Sequence, residues 1–133
     1  APNAQITTLE GCPETSKIAQ NLFCKLKLKN INVVEGEFEN TLQTITSNNN
    51  FDFIYIDGNH QEKATLKYFE QCLTSVHNNS FIIFDDINWS KEMNTTWKKI
   101  KQHSRVTVTL DLYFWGIVFF RKEQTKQHFT IRI

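Results

Sequence analysis

Four acids and one histidine carry the chemistry that this 133-residue chain can offer. Asp57 closes the run Phe-Asp-Phe-Ile-Tyr-Ile-Asp-Gly-Asn-His (51–60), and Asp85 and Asp86 close Ser-Phe-Ile-Ile-Phe-Asp-Asp-Ile (80–87). Three carboxylates from two neighbouring strand ends are hard oxygen ligands of the kind that Mg²⁺ or Ca²⁺ takes. The plainer reading is that Asp57 caps a loop or helix and Asp86 faces water. His60 lies three residues beyond Asp57. An imidazole titrates near neutrality, so His60 can accept a proton from a hydroxyl substrate, although a loop histidine is commonly just polar surface. Glu10 ends an earlier β-rich run, Gln5 to Leu9, where a carboxylate can accept two hydrogen bonds from vicinal ribose hydroxyls or cap the next helix. His77, His103 and His128 have no acid or cysteine at telling spacing and read as surface residues.

These side chains are useful only if the elements beneath them converge. Between the two acid-tipped runs, Ala64, Leu66, Tyr68, Phe69, Cys72, Leu73 and Val76 recur close to the i, i+3, i+4, i+7 spacing of an amphipathic helix over 61–77. Strand, helix, strand is a βαβ unit. Its right-handed crossover makes the strands parallel and sets Asp57, Asp85 and Asp86 on one sheet edge. Upstream, Pro13-Glu14-Thr15 starts a helix with Ile18, Ala19, Leu22, Phe23 and Leu26 as its expected buried stripe, followed by a strand at 31–35 and a short helix at 40–47. Downstream, Ser90 caps a helix over 91–102. The segments 105–112 and 117–121 then form an antiparallel hairpin around Tyr113-Phe114-Trp115-Gly116, and 129–133 adds an edge strand. The alternation predicts an α/β fold with a mostly parallel sheet.

Composition removes several function classes. The length fits one domain, and a net charge of +1 gives no electrostatic case for a nucleic-acid or acidic-membrane partner. No apolar run approaches a membrane span. Cys12, Cys24 and Cys72 are odd in number and widely spaced, which fits free thiols in a reducing, cytoplasmic setting. There is no glycine-rich phosphate loop. Phe38, Trp89, Tyr113, Phe114 and Trp115 fall near loop ends, where an aromatic ring can stack on a base, wall a pocket or simply pack in the core.

Taken in order, Ile6-Thr-Thr-Leu-Glu-Gly-Cys-Pro-Glu14, Val33-Val-Glu-Gly-Glu-Phe38, Phe51 to His60 and Ile82-Ile-Phe-Asp-Asp-Ile-Asn-Trp89 resemble successive motifs of class I S-adenosylmethionine-dependent methyltransferases. The nearest branch is the O-methyltransferase-like group with the catechol and caffeoyl-CoA enzymes, and the likeness runs over essentially the whole chain. The resemblance implies a Rossmann-like sheet, mostly parallel with a C-terminal antiparallel hairpin, whose first strand and glycine-rich loop are missing. It implies that Glu10, with Gly11, holds the cofactor ribose and that Gly36, Glu37 and Phe38 line the adenine pocket. Asp57 would sit beside the methionine moiety. Asp57, Asp85 and Asp86 would hold a divalent cation such as Mg²⁺, and His60 would stand where metal-dependent members carry a catalytic lysine. The expected reaction is methyl transfer to a small-molecule acceptor, at oxygen by family analogy. Residues 1–133 would form a single, partial domain: a truncated form with weak or no activity whose open sheet edges could pair in a homodimer. The rival expectation is a non-catalytic α/β binding or assembly module. A phosphoacceptor receiver domain fits less well, since it needs an acid pair after the first strand.

Overall fold

The computed structural model describes residues 3–132. In chain order it contains β1 (Ile6–Glu10), α1 (Pro13–Lys25), β2 (Ile31–Glu35), α2 (Phe38–Asn48), β3 (Phe51–Ile56), α3 (Glu62–Leu73), β4 (Val76–Phe84), α4 (Lys91–Gln102), β5 (Val108–Asp111), β6 (Gly116–Phe119) and β7 (Gln127–Thr130). The strands form two sheets, β1-β2 and β3-β4-β6-β5-β7. The chain divides into two compact units, residues 1–45 and 46–133.

In the first unit β1 and β2 run parallel, from Ile6 opposite Ile31 to Glu10 opposite Glu35. Proline in the first turn of α1 supplies a helical φ and lacks only a donor that would be unpaired there anyway. Glu14 lies in the same turn. A backbone hydrogen bond, and then the Cys12 thiol 3.2 Å from Oε2, hold its carboxyl below the usual range. The expected burial of the α1 stripe is corrected. Ser16 is buried and Ala19 and Phe23 half-buried, but Ile18 is 69% exposed, and Leu22 and Leu26 are exposed as well. A two-stranded sheet is too narrow to cover an apolar face that wide.

In the second unit β3 and β4 are parallel, with Phe53 opposite Phe81 and Ile56 opposite Phe84. β6 pairs antiparallel with β5, as the hairpin pattern predicts, and on its other side antiparallel with β4. β7 lies parallel to β5, two residues earlier than the expected edge strand, whose final residue falls outside the described ones. Ser90 caps α4 as expected, its hydroxyl accepting from the Met93 N–H at 3.0 Å. Phe69 of α3 and Trp97 of α4 both meet Phe84, at 5.7 and 6.4 Å between ring centres, so both helices cover the same sheet face. Ile82, Ile100 and Val118 complete that buried layer. Gly116 is required by this packing, since a Cβ there would fall 2.8 Å from indole carbons of Trp97 and 2.9 Å from Ile87.

Strand alternation puts a second apolar surface on the other face. Register aligns Phe53, Phe81, Phe119 and Val108 in one row and Tyr55, Ile83, Ile117 and Leu110 in the next. Phe53 stacks on Phe81 at 5.0 Å and Phe81 on Phe119 at 6.0 Å, yet Phe53 and Tyr55 remain exposed and the rest half-buried. Neither α3 nor α4 covers this face. Among the described residues, no helix is long and apolar enough to cross a membrane.

Candidate functional site

The first unit gathers its candidate residues at the C-terminal ends of its two parallel strands. Glu10 ends β1 and turns its Oε1 back, at 2.8 Å, onto the N–H of Cys12, the residue just before α1, which has no side-chain cap of its own. No described hydrogen bond uses Oε2. Gly36 follows β2 and donates its N–H to the Glu10 carbonyl at 2.9 Å, which ties the two strand ends together. Its φ of 138° is one that L side chains rarely adopt, and a Cβ would lie 3.1 Å from Thr41 Cγ2. Backbone is therefore bare at this turn, with Glu37 next to it and the half-buried Phe38 opening α2. Gly11 is exposed beside Glu10, with space around its Cα. A carboxylate oxygen with no described partner and a side-chain-free turn thus share one sheet edge.

The second unit gathers the others in the same way. Asp57 follows β3, and the ladder continues one step past β4, with the Asp85 N–H donating to the Ile56 carbonyl at 3.0 Å. Two left-handed residues then redirect the chain, Asn59 (φ 49°) before His60 and Asp86 (φ 54°) itself. Asn and Asp tolerate that region better than other non-glycine residues. Together the two turns bring the His60 Nε2 to 3.7 Å from Asp57 Oδ1 and 3.8 Å from Asp86 Oδ2. His60 Nε2 thus faces both acids at this edge.

Asp85 belongs to a different arrangement. Its Oδ2 accepts the Tyr55 hydroxyl at 2.7 Å and its Oδ1 accepts the Asp86 N–H at 3.0 Å. Burial, then the hydrogen bond and charge of Asp85, then the charge of Asp57 push the Tyr55 phenol up to about 12, with a hydrogen bond from Trp115 opposing them. The resemblance does not single out Tyr55. The signal was present in the alternation of β3, which places residues 53, 55 and 57 on one face, but an aromatic residue in an apolar run reads as packing.

These contacts bear on the metal expectation. Among the described residues no group of three or more His, Cys, Asp and Glu side chains could hold a metal ion. Asp57 and Asp86 face the imidazole, and both oxygens of Asp85 already accept protein donors. The residues as arranged do not fit a divalent cation.

The aromatic turn lies on the same edge. The Ile87 N–H donates to the Phe114 carbonyl at 3.1 Å and the Asn88 side chain to the Tyr113 carbonyl at 2.8 Å, fastening the hairpin turn to the loop after β4. Trp89, Tyr113, Phe114 and Trp115 are exposed there, not in the core. Tyr113 is left-handed as well (φ 74°). The other histidines are exposed or half-buried, as expected of surface residues, but each has a partner. His77 lies 3.0 Å from Asp52, His103 lies 3.5 Å from Glu70, and His128 Nδ1 is 2.8 Å from the Thr109 hydroxyl. Sequence spacing hides these pairs because each joins two different elements.

A family model described as "Methyltransferase domain" matches residues 2–87, which include both sets of strand ends. The chain belongs to that methyltransferase family. Solved structures agree on the fold. An SAH-bound methyltransferase of Podospora anserina superposes with a TM-score of 0.76 at 19% identity, over 90% of this chain and 62% of its own. The O-methyltransferase of Bacillus cereus, solved in complex with SAH, gives 0.69 at 23% identity over 87% and 63%. An O-methyltransferase of Streptomyces achromogenes involved in tomaymycin synthesis, in complex with SAM, gives 0.75 at 12% identity over 91% and 64%. This methyltransferase chain is α/β and Rossmann-like, and it spans about three fifths of the length of these solved structures. No curated protein matches it in sequence.

Proposed function

We propose that the chain is the greater part of a domain that transfers a methyl group from S-adenosylmethionine to the oxygen of a small-molecule acceptor. The observation that carries the reading is the gathering of its polar chemistry, in each unit, at the C-terminal ends of parallel strands, where open α/β sheets hold their ligands. When bound, the cofactor supplies an electrophilic methyl on a sulfonium. Glu10 accepts the ribose hydroxyls through its uncommitted oxygen, with Gly11 beside it. Gly36, Glu37 and Phe38 receive the adenine, the bare backbone at Gly36 allowing close approach. Asp57 offers its carboxylate to the cofactor's ammonium group.

On the acceptor side, His60 Nε2 takes the hydroxyl proton as the oxygen–carbon bond forms and the carbon–sulfur bond breaks, leaving the thioether product. Asp57 and Asp86 steady the imidazole as it gains charge. Displacement at a methyl needs alignment more than covalent help from the protein, so positioning supplies most of the rate. Trp89, Tyr113, Phe114 and Trp115 offer flat apolar surface to the acceptor.

The open face of the β3-β4-β6-β5 sheet, the uncovered stripe of α1 and the three-fifths coverage support a further part of the proposal. These residues belong to a longer polypeptide whose remaining part covers that surface, pairing with a second copy being the alternative. Calorimetry with S-adenosylhomocysteine tests the reading on the encoded polypeptide. Saturable binding that weakens in Glu10→Ala supports it, and no binding heat would leave an α/β assembly module in its place.

A further inference from the structure

Asp85 sits where a metal-using relative would need a ligand, yet its side chain is held along β3. Register explains how. Tyr55 is opposite Ile83 on one face of the β3–β4 pair, and Asp85, two residues on, returns to that face within reach of the phenol. The resulting bond is 2.7 Å long, and the backbone N–H of Asp86 takes the other oxygen at 3.0 Å. The left-handed turn at Asp86 sends that next acid to His60 and not alongside Asp85. The imidazole Nε2 then lies 3.7 Å from Asp57 and 3.8 Å from Asp86, so both of these acids face a ring nitrogen. Mg²⁺ requires near-octahedral oxygens at about 2.0–2.1 Å, so a set in which Asp85 already accepts two protein donors, while Asp57 and Asp86 face an imidazole nitrogen, is a poor one.

We propose that Tyr55 is a positioning residue that holds Asp85 out of a cation-binding geometry, so that this strand edge takes no divalent metal. The inference rests on the reading of this edge as the acceptor side, but it concerns only the chain's own side chains. In place of a metal bridging three acids, the edge has two protein-held arrangements: Tyr55 with Asp85, and His60 facing Asp57 and Asp86.

Mn²⁺ alone is the probe, followed by the loss of its free electron-paramagnetic-resonance signal on titration with the wild-type protein, Asp85→Asn and Tyr55→Phe. Thermal melts confirm that all three are folded. Wild type and Asp85→Asn should leave the signal equally unchanged through the low millimolar range, and any binding common to both lies elsewhere on the surface. Tyr55→Phe frees Asp85 Oδ2 and should gain binding that the double variant with Asp85→Asn loses again, a gain that a merely structural role for Tyr55 would not produce. Saturable wild-type binding that Asp85→Asn abolishes would overturn the inference, and so would a Tyr55→Phe variant that binds no more Mn²⁺ than wild type. Failure of the methyltransferase reading itself would show as absent S-adenosylhomocysteine binding, which leaves the Mn²⁺ result readable.

Discussion

At the scale of single residues, His60 and Glu10 divide the work between proton transfer and cofactor recognition. A general base contributes about 10²–10⁴-fold to rate. His60→Gln in the encoded polypeptide should therefore lower kcat by about that factor, with S-adenosylhomocysteine affinity unchanged by calorimetry. A loss of affinity equal to the loss of rate would move His60 from proton transfer to cofactor binding. The carboxylates at 10, 57, 85 and 86 were legible in the sequence because an acid closing an apolar β run is a pattern of residue types. The partnership of Asp85 with Tyr55 was not legible, because it depends on side-chain direction across two strands thirty residues apart. The thiols follow burial. Cys12 and Cys24 are exposed, whereas Cys72 is buried and its thiol is pushed up to about 12. A disulfide-exchange reagent should titrate two thiols quickly and the third only on unfolding; three fast thiols would mean that α3 is not packed as described.

At the scale of elements, the strands and helices followed from periodicity and caps, and the misses have local causes. The first residues of β4, Val76 to Asn79, alternate too weakly in hydrophobicity to separate from the end of a helix, so the helical period runs on to 77 although α3 ends at Leu73 and β4 begins at Val76. The direction of β7 depends on a loop whose course its polar composition does not reveal. Gly116 looked like a turn residue, whereas its constraint is the indole of Trp97. Gly116→Ala should destabilise the second unit by about 1–3 kcal/mol, the usual range for overpacking, read as a lower denaturant midpoint at unchanged slope. An unchanged midpoint would show that Trp97 can move aside.

β7 carries its own pH dependence. The Nδ1 of His128 is shielded against the buried Thr109, and this desolvation, with Lys101 and Lys126 nearby, holds the imidazole below its ordinary value near 6.5. The unfolded chain then binds the proton first as pH falls. The stabilisation is complete above about 6.5 and is lost as pH drops through the lower folded value. An NMR titration should place the His128 midpoint below 6.5, and a midpoint above it would reverse the sign.

At the scale of the whole molecule, the same alternation that makes the strands apolar on both faces leaves one face of the second unit without a helix. Parallel sheets are normally covered on both sides. That requirement was legible at the sequence level only as an unbroken apolar character in Phe51 to Ile56 and Phe81 to Phe84; which face stays open follows from where Phe69 and Trp97 land. On the proposed function, the strand ends of the first unit hold a nucleoside through Glu10. The most direct measurement is the dissociation constant of S-adenosylhomocysteine for the encoded polypeptide and its Glu10→Ala variant. Loss of a charge-assisted pair of hydrogen bonds is worth about 1.5–3 kcal/mol, so the variant should bind roughly ten- to a hundredfold more weakly. Equal affinity in the two proteins, or no binding by either, would contradict the account.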